Sequence, residues 1–351
     1  MPEARDQFAR DDQRHALASL LTAEAAGVPG GIHGVHAAIA GRVFRALGPG
    51  ALPVRVMHDT IARGSYFGVR AGMALAGRVA GEVYARRPGE ANAHVVAALN
   101  ALQGDVLERD ASPLALGMTV RDRGTVVAMP SADRLAVFIH GLGETEFAWG
   151  REPYGARLPG WTPVYLRYNT GRAIADNGAS LAKLLDTVDA REIALIGHSM
   201  GGLVARAACH HGGDWTERVR VTVSLGTPHL GAPLAQAVHH AGTALDFLPE
   251  TRPFARLLDR RSAGIRDLRH GFLLDEVPLL EGPAHCFVAA TVTRSPKHPV
   301  GRLLGDVLVL SASASGRHRL TFQHGLELGG AHHLALLDHP EIHERLLSWL
   351  G

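Results

Sequence analysis

The chain has 351 residues, 46% of them hydrophobic and 20% charged, enough apolar side chains to bury a large core as one enlarged domain or as a domain with an extension. Its formal net charge is only +2, with 36 Lys and Arg interspersed among 34 Asp and Glu. No basic stripe suits a phosphate backbone, so nucleic acid is not expected as a partner. Two cysteines, Cys209 and Cys286, make no disulfide framework and read as ordinary buried thiols.

The first stretch, "MPEARDQFARDDQRHALASL", is too charged for the apolar region of a signal peptide. No charge-free apolar run reaches the roughly 18 residues of a membrane span, and a cytoplasmic location is the expectation. Residues 1–115 are rich in Ala and Gly and carry helical periodicity in "GVHAAIAGRVFRAL", in residues 61–85 and in "ANAHVVAALNALQGDVL", separated by the breakers "GPGALP" and "RRPGE". In residues 61–85, Arg63, Arg70, Arg78 and Glu82 interrupt the apolar surface, while Gly64, Gly68, Gly72 and Ala76 recur every fourth position. That spacing lets another helix approach closely, which predicts a tightly packed soluble helix or a homodimer contact. Association with a membrane surface stays open.

From residue 117 the pattern changes. "GMTVRDRGTVVAMP" predicts a hairpin, "RLAVFIHG" and "TPVYLRYN" predict buried strands, and "AIADNGASLAKLLDTV" predicts a helix leading to the strand "EIALIG". The alternation continues through "RVRVTVSLG", "HCFVAATVT" and "GLELGG" to a closing helix "PEIHERLLSWL". Repetition of strand and helix predicts a mostly parallel α/β sheet with helices on both faces, spanning residues 116–351 after a helical extension over 1–115. Residues 234–271 are helical and too long for a simple crossover, so they are expected to form a cap over the site.

Within this region "IGHSMGG" places Ser199 between Gly197 and Gly201, after a strand and before the helical "GGLVARAAC". In a GxSxG turn the flanking residues must be small because the backbone folds sharply onto its neighbours. A serine is a poor nucleophile until a histidine takes its proton and an acid orients that histidine. In an α/β sheet these follow in the order Ser, acid, His. Asp306 in "LLGDVLVLSASASG" is the acid so assigned, with Asp275 and Asp338 less well placed. "GGAHHLALLDHPEIHERLLSWL" offers His332 and His333 as bases, and their adjacency leaves the choice between them open. Two backbone N–H groups would complete an oxyanion hole: that of Met200, directly after the serine, and that of Leu142 in "VFIHGLGET".

Residues 117–351 resemble an α/β-hydrolase of the lipase and esterase type, similar to bacterial proteins near the GPI inositol-deacylase (PGAP1-like) group. The resemblance is carried by "HGLGET", "LRYNTGRAIADNG", "IGHSMGGLVAR", "SLGTPHLGAP", "GDVLV" with "SASA", and "HHLALLDHPEIHERLLSWL". It implies Ser199 as nucleophile and Asp306 as acid. The family's catalytic histidine usually stands seven residues before the proline of an "HP" pair, which selects His333. The position two beyond that histidine is often acidic in the family, and here it is Ala335.

The 21 histidines raise metal binding as an alternative. His210/His211 and His239/His240 are adjacent pairs, His33 and His36 lack an acidic or Cys partner nearby, and no H-E-x-x-H or Cys/His spacing occurs, so neither metal nor cofactor is expected. His140, His198 and His229 are read as packing or loop-shaping residues. The expected activity is hydrolysis of a small carboxylic ester or lipid. An acyltransferase or thioesterase on the same triad, and a non-catalytic scaffold using the N-terminal helices, are the rival readings.

Overall fold

The computed structural model describes residues 13–18, 40, 44, 48–85, 92–150, 154–231, 262–270, 277–296, 298, 306, 309, 311–314, 320 and 322–351. Most of the helix expected over residues 34–47 and most of the cap expected over 234–271 lie outside these. The chain divides into two compact units, one of residues Met1–Asn92, Ser112–Leu114 and Ala237–Arg260, the other of Ala93–Ala111, Ala115–Gln236 and Arg261–Gly351.

In the first unit the main described element is helix α1, Leu52–Ala85. It begins inside "GPGALP", read above as a breaker, because Pro53 falls in the first turn, where a helix has no use for the missing N–H. Leu52, Val56, Ile61, Phe67 and Leu75 on it are exposed. Among the described residues no helix is long and apolar enough to cross a membrane.

The second unit opens with helix α2, Ala93–Arg109, which carries a kink at Gln103 (φ −139°, ψ 20°). The change in composition falls at about residue 115, whereas this helix already belongs with the sheet. The reason lies in two buried contacts. A side chain at Gly104 would overlap that of Asn169, and Asn169 Nδ2 donates to the Gly104 carbonyl at 2.9 Å.

The sheet has eight strands in the order β2-β1-β4-β3-β5-β6-β7-β8. β1 (Thr119–Asp122) and β2 (Thr125–Val127) form the expected hairpin, and β1 runs antiparallel to β4 (Thr162–Arg167). The other pairings, among β3 (Arg134–Ile139), β4, β5 (Glu192–His198), β6 (Val219–Leu225), β7 (Ala284–Thr291) and β8 (His324–Gly329), are all parallel. Helix α3 (Ile174–Leu185) links β4 to β5, and α4 (Met200–His211) links β5 to β6. Leu135, Val137 and Ile139 of β3 meet Leu181, Leu185, Leu203 and Val204 on one face. Ala136 and Phe138 turn the other way and pack with Trp149, Tyr154 and, from the closing helix, Ile342, Leu346 and Leu350. Burial on both faces is why these strands read as continuous apolar runs, not as alternating ones.

Helix α5 (Ala263–His270) is the described part of the expected cap. Ser262 Oγ donates to the Ala101 carbonyl at 2.5 Å, and Asp267 Oδ2 accepts from the Ile174 N–H at 2.8 Å at the start of α3. Helix α6 (Pro340–Leu350) closes the chain, with Pro340 in its first turn and His339 as its cap. The result is a mostly parallel sheet with helices on both faces, and the strand-tip loops after β3, β5, β6 and β8 are left to build a site. That architecture is the α/β-hydrolase fold.

Candidate active site

Ser199 is where strand β5 breaks into helix α4, with φ 52° and ψ −122°. A non-glycine residue at positive φ costs of order 1–3 kcal/mol and persists only where its surroundings hold it there. Two backbone bonds do so: the Ser199 N–H donates to the Leu225 carbonyl at 2.8 Å, and the Ser199 carbonyl accepts from the Gly202 N–H at 3.2 Å. The small flanking residues are equally necessary. A side chain at Gly197 would strike the Gly201 and Gly202 backbone, and one at Gly201 would strike the Ile139 carbonyl.

Asp306 and His333 are brought together. His333 Nδ1 stands 2.7 Å from Asp306 Oδ2, both residues being buried, and the His333 N–H donates to the Asp306 carbonyl at 3.1 Å. The second carboxylate oxygen, Oδ1, accepts from the Val309 N–H at 2.8 Å. A carboxylate only accepts, so a hydrogen sits on His333 Nδ1, and the neutral tautomer this contact selects has its lone pair on Nε2. His332 faces elsewhere: it is exposed, and its ring caps the turn His333–Leu337 by accepting from the Ala335 N–H at 3.2 Å.

Ser199 and the histidine share a wall. Leu225 holds the Ser199 N–H, and a side chain on the next residue, Gly226 (φ +60°), would come within 3.1 Å of the His333 ring. The rings of His198 and His333 are 4.7 Å apart. Among the described residues no hydrogen bond joins Ser199 to His333, and such contacts often tighten only when substrate is bound.

On the other side of Ser199 lies the loop after β3. Gly141 approaches so closely that a Cβ there would be 3.0 Å from that of Ser199. The loop turns with Glu144 N–H donating to the Gly141 carbonyl at 3.2 Å, and Gly143 adopts φ +70°, a value only glycine takes cheaply. Thr170 Oγ1 accepts from the Gly143 N–H at 3.1 Å, which ties this loop to the segment that α2 supports through Asn169. Among the described residues the backbone N–H groups of Leu142 and Met200 donate to no protein acceptor, so both stay available to a ligand oxygen.

The other histidines divide by environment. His140 stacks on Tyr168 at 4.5 Å, and burial pushes its pKa down. His229 stacks on Phe287 at 4.4 Å; burial, with Arg206 adding, drives it down to about 3, so it is a neutral core ring. A cavity of about 20 Å³ behind the turn is lined by Gly202, Arg206, His229, His285 and Phe287, and none of Ser199, Asp306 or His333 borders it. Cys209 and Cys286 are buried free thiols, both pushed up to about 12 by burial. Among the described residues no group of three His, Cys, Asp or Glu is placed to hold a metal ion.

One residue of the site escaped the sequence reading. Glu144, the acid of "HGLGET", is drawn under the serine turn, its Oε2 accepting from the Gly141 N–H at 2.7 Å and lying 3.0 Å from His198 Nδ1. The signal was an acid three residues after the "HG" turn, but its partner is 54 residues away.

Residues 181–246, which include the serine turn, match the PGAP1-like alpha/beta domain. No curated protein matches the sequence significantly. Among solved structures, the mature lipase BlEst2 of Bacillus licheniformis is similar at 21% identity and a TM-score of 0.48, over 67% of this chain and 98% of that one. A lipase-esterase related protein of Clostridium acetobutylicum aligns at 12% identity and TM-score 0.43, covering 67% and 99%. The metagenomic carboxyl esterase MGS0156 aligns at 18% identity and TM-score 0.41, covering 73% and 88%.

Proposed function

We propose that the protein is a serine hydrolase of carboxylic esters, acting on a small ester or a lipid through an acyl-enzyme. The observation that carries this reading is the 2.7 Å contact between Asp306 and His333 beside a serine held at positive φ. His333 Nε2, its tautomer fixed by Asp306, takes the Ser199 proton as Oγ attacks the acyl carbon. The Leu142 and Met200 amides receive the developing oxyanion, each such donor being worth about 3–4 kcal/mol of barrier. The alcohol departs with the proton held on His333, and water repeats the sequence on the ester formed at Ser199. The cycle calls on no cofactor. The names of the aligned lipases and esterases agree with this chemistry, and the fold alone would not assign it.

Ser199→Ala, which keeps the turn, should lower hydrolysis of p-nitrophenyl butyrate by about 10⁴-fold or more and abolish labelling by a fluorophosphonate. A variant that hydrolyses the ester as fast as the parent would overturn the assignment. Free acid as the main product when an alcohol is added separates a hydrolase from an acyltransferase on the same residues.

A further inference from the structure

Beside the proposed triad stands a second acid and imidazole, and it is wired differently. Glu144 Oε2 accepts from the Gly141 N–H at 2.7 Å and meets His198 Nδ1 at 3.0 Å; His198 Nε2 in turn faces the His333 carbonyl oxygen at 3.3 Å. His198 is fully buried. A carboxylate and a carbonyl are both acceptors, so only a ring with hydrogen on both nitrogens satisfies the two contacts. A neutral His198, with one hydrogen, would leave one of the two acceptors facing a lone pair at a fully buried ring.

We propose that Glu144 and His198 are positioning residues, a carboxylate–imidazolium pair with its imidazole buried, that fastens the loop after β3, the serine turn after β5 and the histidine turn after β8 into one frame. The purpose of the frame rests on the function proposed above. Each end of the pair grips backbone that the reaction uses: Gly141 precedes the Leu142 amide, and the His333 carbonyl belongs to the base itself.

The electrostatics are consistent with this. Burial alone would push His198 down, but the charge and hydrogen bond of Glu144, the His333 carbonyl and the charge of Asp306 together offset it, and the imidazole is raised overall. Burial would raise Glu144, yet the charge and hydrogen bond of His198, the Gly141 N–H and a smaller contribution from His140 hold it at about 2. The ionisable groups around the pair include His140, kept low by burial, Tyr168, pushed up by burial with Glu144 adding, and the Asp306–His333 couple. A fixed cation with its ring 4.7 Å from that of His333 disfavours a second imidazolium there.

The test compares the parent, Glu144→Gln, His198→Gln and Ser199→Ala, using p-nitrophenyl butyrate across pH, and adds ¹⁵N NMR of the parent's histidine rings. Glu144→Gln should lower kcat about 10–100-fold with KM within about threefold, as loss of a supporting contact does. His198→Gln removes the cation and leaves the Glu144 charge, so the acid limb of kcat/KM should move to higher pH. In the NMR spectrum His198 should show two protonated nitrogens at about pH 7, whatever the protein's substrate. A neutral His198 tautomer overturns the proposal, even if a variant fails to fold. So does an acid limb that stays in place in a folded His198→Gln protein. Turnover that survives Ser199→Ala instead defeats the functional reading and leaves the charge state of His198 to the NMR result.

Discussion

Two imidazoles flank the serine turn with ring centres 4.7 Å apart, and each meets a carboxylate through Nδ1, at 2.7 Å for His333 with Asp306 and 3.0 Å for His198 with Glu144. What separates them is the far nitrogen. His198 Nε2 faces the carbonyl of His333, whereas among the described residues His333 Nε2 has no protein partner. A ring tied at both nitrogens can hold loops together but has nowhere to put a proton during a reaction. A ring tied at one keeps a nitrogen for proton transfer, the role proposed for His333. On these proposed roles, one hydrogen bond separates a strut from a base.

The largest effect expected from this contrast is at His333. His333→Ala should lower ester turnover about 10⁴-fold or more, measured as kcat/KM, while His332→Ala one residue earlier should leave it within about twofold, since that exposed ring only caps the turn that follows it. Equal losses in the two variants would remove the distinction between them. Asp306→Asn comes next. The amide can donate to Nδ1 and so favour the wrong tautomer, and kcat should fall by about 10³–10⁴-fold. Tm should change little, because with the amide nitrogen toward Nδ1 the remaining oxygen still accepts from the Val309 N–H.

The serine turn was legible because its requirements are local. "GHSMGG" between an apolar strand and a helix specifies where backbone must fold on itself, and Gly197 and Gly201 make the close approaches their spacing implied. The parallel strands were legible as apolar runs for the same kind of reason. The histidine was less so: residues 332 and 333 are equivalent in composition and order, and what distinguishes them is a carboxylate 27 residues earlier that only the fold delivers. Glu144 was missed because nothing near it in the chain shows that it will be buried under His198. The allegiance of helix α2 was hidden similarly, since its Ala-rich pattern says helix but not which body it packs on. The deciding contact, Asn169 to the Gly104 carbonyl, spans 65 residues.

A smaller effect is expected where backbone separates the serine from its base. Gly226 follows β6 with φ +60°, its N–H donating to the Val288 carbonyl at 2.9 Å. A methyl group there would stand 3.1 Å from the Nδ1 and Cε1 atoms of His333 and 2.7 Å from a methyl of Leu336. Gly226→Ala therefore combines an unfavourable φ, costing about 1–3 kcal/mol, with pressure on the proposed base but none on the Glu144–His198 contacts. Turnover should fall about 10–100-fold through kcat, in keeping with a misplacement of order 1 Å. Fluorophosphonate labelling should slow in proportion, because it needs the same proton transfer, while the doubly protonated ¹⁵N signature of His198 should persist. If the substitution instead neutralises His198 and leaves kcat unchanged, the roles assigned to the two rings are reversed.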